Sequence, residues 1–290
     1  MSVLLTLLLV VSAVAAEGDA PYAVVLGIAQ DAGAPQAGCT KACCASAWQD
    51  PPEPVASLGL VAGNQHWILD ATPDFPAQEH SLPGELGGIL LTHAHIGHYT
   101  GLMYLGREAM GVRGVQVWAM PRMRAFLEAN GPWSQLVKLG NIELRPLEDG
   151  VNLGDLHVRA VQVPHRDEFS ETVGLVVTGP NRRLLYLPDI DKWSTWDRPI
   201  EEVLSEVDVA LLDGTFYDGE ELPGRDMSEI PHPFIIESIR RFAPLPKRLR
   251  SRVVFTHLNH TNPALRPGEA RAAIEAAGHG VATHGDRHPL

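Results

Sequence analysis

The sequence predicts an α/β protein in which two β-sheets form the core and helices cover both outer faces. Apolar strands cluster as hairpins in the first half of the chain and alternate with helices in the second half. A His or Asp residue follows one apolar strand after another, and α/β proteins place functional side chains at such strand ends. The 290 residues, 45% of them hydrophobic, suffice for one large globular domain or two modest ones.

The first sixteen residues are predicted to be a signal peptide and not part of the fold. Val3–Val11 is an apolar core of signal-peptide length, and Val14–Ala16 places small residues before a cleavage point. The segment is too short to span a membrane. Because no Lys or Arg precedes the apolar core, a buried amino-terminal strand is the alternative. We expect an exported protein, periplasmic or secreted, whose mature chain begins near Glu17 and has no membrane span.

Apolar runs and turn residues predict the elements of the first half. Tyr22–Ala29 is predicted as a strand that leads into a loop carrying the cysteines. Leu58–Ala62 and His66–Asp70 flank Gly63-Asn64, which is a hairpin signal. Gly87-Gly88 is interpreted as a turn before the next strand. Further strands are predicted at Ile89–Leu91 and Gly114–Ala119, and a helix at Pro121–Glu128.

The second half is predicted to alternate strands with helices. Strands are predicted at Ile142–Arg145, Leu156–Val163, Thr172–Val177, Arg183–Leu187, Val207–Leu212 and Arg252–Phe255. Helices are predicted at Ile200–Ser205, Pro233–Phe242 and Pro267–Ala277. Four of the strands are followed by a polar residue that suits a functional site, namely His165, Asp189, Asp213 and His257.

Three imidazoles fall within six residues directly after the apolar run Ile89–Leu91. His93 and His95 are two apart on an extended segment and therefore point to the same side, and His98 returns to that side as a helix begins. Neutral imidazoles that converge at the end of a strand are typical of a metal site. A set of unrelated loop histidines is the alternative interpretation.

The cysteines and the charge narrow the classes of function. Cys39, Cys43 and Cys44 lie within six residues, and an odd number packed this tightly does not make a disulfide framework. The pattern favours a three-thiolate metal site that needs one more ligand. The net charge of −12 argues against a nucleic-acid partner, because phosphate contacts need clustered Lys and Arg. We expect a small-molecule substrate.

The order of His-x-His-x-x-His, a later lone His, an Asp after a strand and a final His resembles the metallo-β-lactamase fold superfamily. The resemblance covers essentially the whole mature chain, and within the superfamily the chain looks most like the branch around coenzyme PQQ synthesis protein B. A phosphodiesterase of phosphonate catabolism and the transfer-RNA 3′ endonucleases are more distant relatives. The matching segments are the cysteine loop, Ala71–Asp74, Ile89–Thr92, Thr100–Leu102, Leu212–Thr215, Gly224–Met227 and Asn259–Pro263.

This resemblance implies a single αββα sandwich over residues 17–290 and a metal-dependent hydrolase. A metal-activated hydroxide would attack an ester, phosphodiester or lactone-type bond, and two cations roughly 3.5–4 Å apart would stabilise the oxyanion. Zinc is the expected metal, with one or two ions at the active site, and iron or manganese also suits such ligands. The resemblance assigns His93, His95 and His165 to a first metal, His98 and His257 to a second, and Asp189 to both.

One position departs from the superfamily pattern. The usual motif has Asp immediately before the third His as a ligand of the second metal, and this chain has Gly97 there. Losing a carboxylate weakens the expected second site, and Asp191 and Asp213 are candidates to replace it. Three histidines plus a water already make a sufficient catalytic zinc site, so a one-metal enzyme is an alternative.

The same resemblance implies a structural metal site that is separate from the active site. In the phosphodiesterase relative, three cysteines near the amino terminus and a second His in the last motif hold a structural zinc. The corresponding residues here are Cys39, Cys43, Cys44 and His260, a Cys₃His set that contributes to folding. The alternative is a cluster of buried free thiols with His260 beside it.

Further polar residues have weaker assignments. His232 lies where relatives place a His near the substrate, so it is a candidate general acid or anion-binding group, or else a helix-start residue without a role. Asp213 is a candidate catalytic residue and, with Thr215, a candidate to orient ligating imidazoles. The other histidines are expected to be surface or packing residues: His66, His80, His157, His279, His284 and His288.

Two other functions remain open at this point. The glycine at position 97 motivates a metal-binding or carrier protein without hydrolytic turnover. Iron-dependent oxygen chemistry related to quinone cofactor biosynthesis is the other, because histidine-rich sites also hold iron.

Overall fold

The apolar runs fold into strands that form two seven-stranded sheets in the computed structural model, which describes residues 20–45 and 47–290. The predicted signal peptide lies outside the described residues. The strands are β1 (Tyr22–Gly27), β2 (Ser57–Ala62), β3 (Gln65–Leu69), β4 (Glu85–Leu90), β5 (Val115–Ala119), β6 (Ile142–Pro146), β7 (Val151–Leu153), β8 (Leu156–Val163), β9 (Thr172–Thr178), β10 (Arg183–Leu187), β11 (Val209–Asp213), β12 (Val253–Thr256), β13 (Gly280–Val281) and β14 (Arg287–Pro289).

Each sheet joins an antiparallel part to a parallel part. The first sheet has the order β14-β1-β2-β3-β4-β5-β6, and its strands run parallel from β3 to β6. The second has the order β13-β12-β11-β10-β9-β8-β7, and its strands run parallel from β10 to β13. Because β8 and β10 both pair antiparallel with β9, the carboxyl ends of β8, β10, β11 and β12 meet at one edge.

Helices complete the four layers. They are α1 (Ala42–Ala45), α2 (Phe75–His80), α3 (Ile96–Tyr99), α4 (Pro121–Ala129), α5 (Trp133–Lys138), α6 (Ile200–Glu206), α7 (Ile235–Phe242), α8 (Lys247–Arg250) and α9 (Glu269–Ala276). Phe75 and Leu127 pack with Ile89 on the outer face of the first sheet. Ile235 and Ile274 belong to the core that contains the second sheet and the space between the sheets. The predicted αββα architecture is confirmed, and within the described residues no helix is long and apolar enough to cross a membrane.

The two glycines before the histidine motif lie inside a strand, so the turn predicted there is wrong. β4 begins at Glu85 and runs through both glycines. A Cβ on Gly87 would lie 2.6 Å from the indole nitrogen of Trp67, and one on Gly88 would lie 2.5 Å from the ring of Trp118. The glycines therefore serve close packing against two tryptophan rings, which a pattern of turn residues does not distinguish from a turn.

Candidate metal centre

The predicted histidines and Asp189 come together at one edge of the sandwich. They occupy the ends of four strands and the short helix α3, which the parallel strand directions bring to the same rim. We name the side chains of His93, His95 and His165 the first subsite, because their ligand atoms lie within 4.8 Å of one another. We name His98 and His257 the second subsite, because their ligand atoms belong to another group whose members all lie within 4.8 Å of one another.

Asp189 lies between the two subsites and is almost fully buried. Its Oδ2 atom lies 3.0 Å from Nε2 of His98, 3.3 Å from Nε2 of His257 and 3.5 Å from Nε2 of His93. Its Oδ1 atom lies 3.7 Å from Nε2 of His165. One carboxylate thus faces imidazoles of both subsites, which is the placement that a bridging ligand requires.

The imidazoles are held from behind by oxygen acceptors. His98 Nδ1 donates to Asp70 Oδ2 at 2.7 Å, and His165 Nδ1 donates to Asp191 Oδ1 at 3.0 Å. These bonds place a ring proton on Nδ1 and direct Nε2 towards Asp189. The carboxylates fix both the tautomer and the orientation of each ring, as the outer partners of metal ligands do.

The other three imidazoles follow the same arrangement. Oγ1 of Thr92 lies 3.0 Å from Nδ1 of His93, and Oγ1 of Thr215 lies 3.1 Å from Nδ1 of His257. His95 is turned round, because its Nε2 lies 3.1 Å from Glu168 and its Nδ1 lies 2.9 Å from Nε2 of His93. Every ring therefore has one nitrogen bonded outwards and one directed into the centre.

Several of the inward atoms have no hydrogen-bond partner among the described residues. These buried atoms are Nε2 of His98, His165 and His257 and Oδ1 of Asp31. An unpaired buried polar atom costs about 1–3 kcal/mol, so four of them in one place demand an explanation. A borderline divalent cation fits, because it accepts imidazole nitrogens and carboxylate oxygens together.

The ionisation of these groups also suits a cation. Burial lowers the pKa of His257 and, with the charge of His98, lowers that of His93 well below the usual value, so both rings are neutral. Burial opposes ionisation of Asp189, but the surrounding imidazoles hold its pKa well below the ordinary range. Burial opposes protonation of His98, but the carboxylates of Asp70, Asp189 and Asp31 outweigh it and hold its pKa well above the usual value, so a bound cation would take the place of the proton on Nε2.

Strained backbone supports two of these side chains. Within the described residues, Asp70 and His257 are the two non-glycine residues with positive φ, at 68° and 59°. Such conformations cost of order 1–3 kcal/mol each and cluster at functional sites. Asp70 is fully buried and also accepts hydrogen bonds from the backbone N–H and the hydroxyl of Thr92.

Replacing Asp70 by Asn is expected to weaken metal binding by roughly 10–100-fold, the range found when an outer partner of a metal ligand is lost. The amide has no negative charge, so it polarises the His98 ring less. Competition against a chromophoric chelator measures the affinity. Asp149→Asn removes the same charge from an exposed turn and serves as the control. Equal affinities for Asp70→Asn and wild type would contradict this role.

Asp191 and Asp213 do not replace the carboxylate that is missing at position 97. Asp191 lies behind His165, on the side of the ring that faces away from the centre. Asp213 is buried and accepts hydrogen bonds from the backbone of Ile190, from Thr215 and from His232. Because both carboxylates already accept hydrogen bonds from groups around the ligating imidazoles, neither one replaces the missing ligand. The expectation that one of them would do so is wrong.

His232 lies beside the centre. Its Nδ1 donates to Asp213 at 2.8 Å and lies 3.6 Å from Oδ1 of Asp189. Burial alone would lower its pKa, but the charge and hydrogen bond of Asp213 outweigh burial and raise the pKa to about 9. The ring contributes to the wall of a cavity of about 710 Å³ that opens next to the centre. Its geometry suits contact with a ligand in that cavity.

The three cysteines and His260 form a separate cluster. Their ligand atoms all lie within 4.8 Å of one another, and the sulfurs of Cys43 and Cys44 are 3.9 Å apart. Both cysteines stand on the short helix α1, which lets neighbouring side chains reach one point. Burial and the other two sulfurs raise the pKa of Cys43 to about 11. His260 Nδ1 is paired with Asn259 at 2.9 Å, which leaves Nε2 free to bind a metal.

Some of the remaining histidines have packing roles. Nδ1 of the buried His66 pairs with the carbonyl of Pro83, and His279 pairs in the same way with the carbonyl of Arg250. His157 pairs with the side chain of Asn152 at the surface.

Two residues of the site were not predicted from the sequence. Asp31 lies in the centre, and Asp70 lies directly behind the ring of His98.

The chain is similar to known proteins over most of its length. The family described as "Beta-lactamase superfamily domain" matches residues 66–258. Coenzyme PQQ synthesis protein B of Methylobacterium sp. (strain 4-46) is 28% identical over 302 residues, covering 91% of this chain and 98% of that relative.

Two solved structures share the fold. Zn²⁺-bound PqqB from Methylobacterium extorquens matches with a TM-score of 0.78 and 24% identity, over 93% of this chain and 100% of its own. A diphosphatase of the PhnP family matches with a TM-score of 0.65 and 21% identity, over 92% and 96% of the two chains. At these identities the structures establish the fold of this chain.

Proposed function

The chain belongs to the beta-lactamase superfamily, and from that premise we propose that it is a metal-dependent hydrolase acting on a small anionic molecule. The proposed reaction is hydrolysis of an ester, phosphodiester or lactone-type bond. The observation that carries the proposal is the shared orientation of five imidazoles around Asp189, each with one nitrogen bonded outwards and one directed inwards. Structural histidines have no reason to share this arrangement.

Zinc is the metal we propose for both centres. At the active site it supplies Lewis acidity and lowers the pKa of a water to near 7. The protein's part is to orient the ligand nitrogens, which Asp70, Asp191 and the Thr92 and Thr215 hydroxyls do from behind. In the Cys39, Cys43, Cys44 and His260 cluster, we propose a closed tetrahedral zinc that stabilises the fold.

The substrate class follows from the cavity beside the centre. Its charged residues are Lys41, Arg166, Arg225 and Glu229, so cations outnumber carboxylates there although the chain as a whole has a net charge of −12. This local excess attracts an anion. A volume of about 710 Å³ suits a small molecule better than a polymer.

His232 is proposed to deliver a proton to the leaving group. It reaches the cavity wall, and Asp213 fixes its ring through Nδ1. A positioned imidazole typically contributes 10²–10⁴-fold to such a reaction.

We also propose export to the periplasm or the medium, which the apolar segment at residues 3–11 supports.

Metal analysis of the purified protein, combined with a substrate screen, tests the proposed function. Three zinc ions per chain are expected, two at the active site and one at the cysteine cluster. Turnover is expected in a panel of phosphodiesters, lactones and β-lactams. A protein that holds these metals but hydrolyses nothing in the panel would favour the carrier function, and iron in place of zinc would favour oxygen chemistry.

Replacing Arg225 by Gln is expected to raise KM about tenfold with little change in kcat. A hydrogen bond to a charged group contributes about 1.5–3 kcal/mol, and this contact would be made equally to substrate and transition state. Steady-state kinetics on the substrate found in the screen measures both constants. Arg182→Gln removes an exposed cation remote from this cavity and should leave KM unchanged. An unchanged KM for Arg225→Gln would argue against an anionic substrate in this cavity.

A further inference from the structure

The second subsite contains a carboxylate that comes from a distant part of the sequence. Oδ1 of Asp31 lies 3.4 Å from Nε2 of His98 and 4.0 Å from Nε2 of His257. The three atoms belong to one group within 4.8 Å, and all three are buried without a hydrogen-bond partner among the described residues. We propose that Asp31 is a ligand of the second metal and replaces the carboxylate that position 97 lacks.

The backbone explains why Asp31 lies there. Beyond β1 the chain continues beside the segment that follows β12, where Ala29 forms a bridge with Leu258. The N–H of Leu258 donates to Ile28 at 2.7 Å, and the N–H of Gln30 donates to Leu258 at 2.9 Å. Asp31 follows directly, so it is fixed next to His257 by main-chain hydrogen bonds.

A tight turn then directs Asp31 towards the centre. The N–H of Gly33 donates to the carbonyl of Gln30 at 2.8 Å, and Gly33 has a φ of +71° that favours glycine. The side chain of Asp31 is 25% exposed, but its Oδ1 atom is shielded from water. The oxygen therefore points into the cluster of imidazoles while the rest of the residue remains near the surface.

Gly97 has no side chain, and Asp31 occupies the space that a side chain at position 97 would need. A Cβ on Gly97 would lie 2.4 Å from Oδ1 and 2.5 Å from Cα of Asp31. Real Cβ atoms do not approach other atoms this closely, so position 97 has room for a side chain only if the Asp31 loop moves. A carboxylate at position 97 and the carboxylate of Asp31 therefore cannot occupy this space together, and this chain has the carboxylate of Asp31.

Metal content tests this assignment, which rests on the proposed two-metal centre. Wild type equilibrated with buffered Zn²⁺ is expected to hold three ions, and Asp31→Asn and Asp31→Ala two. The second active-site ion should bind at least roughly 10–100-fold more weakly, since losing even an outer partner has that effect. Gly97→Ala should cause the same loss, because its methyl group displaces the Asp31 loop without removing any polar atom.

Asp50→Asn is the matched control, because it removes the same charge from an exposed position of the amino-terminal region. It should retain all three ions. Three ions bound to Asp31→Asn with wild-type affinity would overturn the assignment of Asp31 while leaving the metal centre intact. A wild-type protein that holds zinc only at the cysteine cluster would overturn the assignment and the proposed function together.

Discussion

Replacing His93 and His95 together by Ala is expected to abolish hydrolysis and remove both active-site metal ions. The pair supplies two of the three imidazoles of the first subsite, and His93 also lies 3.5 Å from the shared carboxylate of Asp189. Losing the metals removes several kcal/mol of transition-state stabilisation, so kcat/KM should fall by roughly 10,000-fold or more. Metal analysis should show one remaining zinc ion, at the cysteine cluster.

The control for this variant removes two imidazoles that the structure places elsewhere. His80 and His284 are exposed and lie outside both clusters, so His80→Ala with His284→Ala should keep three metal ions and full turnover. Circular dichroism of both variants establishes that the fold survives. If the His93 and His95 double variant still hydrolyses the substrate of the screen, the proposed active site is wrong.

Local sequence patterns predicted most of the frame that supports the site. The hairpin around Gly63-Asn64 and the strand Leu156–Val163 are present as expected, because alternation and turn residues are short-range signals. The histidines at strand ends meet because parallel strands present their carboxyl ends at one edge. Strand direction and order are enough to predict that convergence.

Residues brought in by long-range contacts could not be predicted in this way. Asp31 reaches the second subsite only because Ala29 pairs with Leu258, more than two hundred residues later. Asp70 reads as the polar end of a strand, and its role depends on a positive φ that the sequence does not reveal for a non-glycine residue. An unexplained glycine in a metal motif was the available signal, since Gly97 marks the place where another chain segment approaches.

The structure explains how the adjacent residues Cys43 and Cys44 can both belong to one metal site. Adjacent cysteines on an extended strand would point to opposite faces, which is incompatible with one metal. In the short helix α1 the two sulfurs are instead 3.9 Å apart, and Cys44 is fully buried. Burial and the two neighbouring sulfurs disfavour the thiolate of Cys43 and raise its pKa to about 11. A divalent cation bound to the cluster would favour that thiolate.

Replacing Cys44 by Ser is therefore expected to lower both zinc content and thermal stability. A site with free zinc at about 1,000 times Kd stabilises the folded state by about 4 kcal/mol, which corresponds to a Tm decrease of roughly 8–16 °C. Metal analysis should show two ions, both at the active site. Ala45→Ser places a hydroxyl on the same helix without removing a thiol and should change neither value. An unchanged Tm and three bound ions in Cys44→Ser would instead show that the cysteines are free thiols.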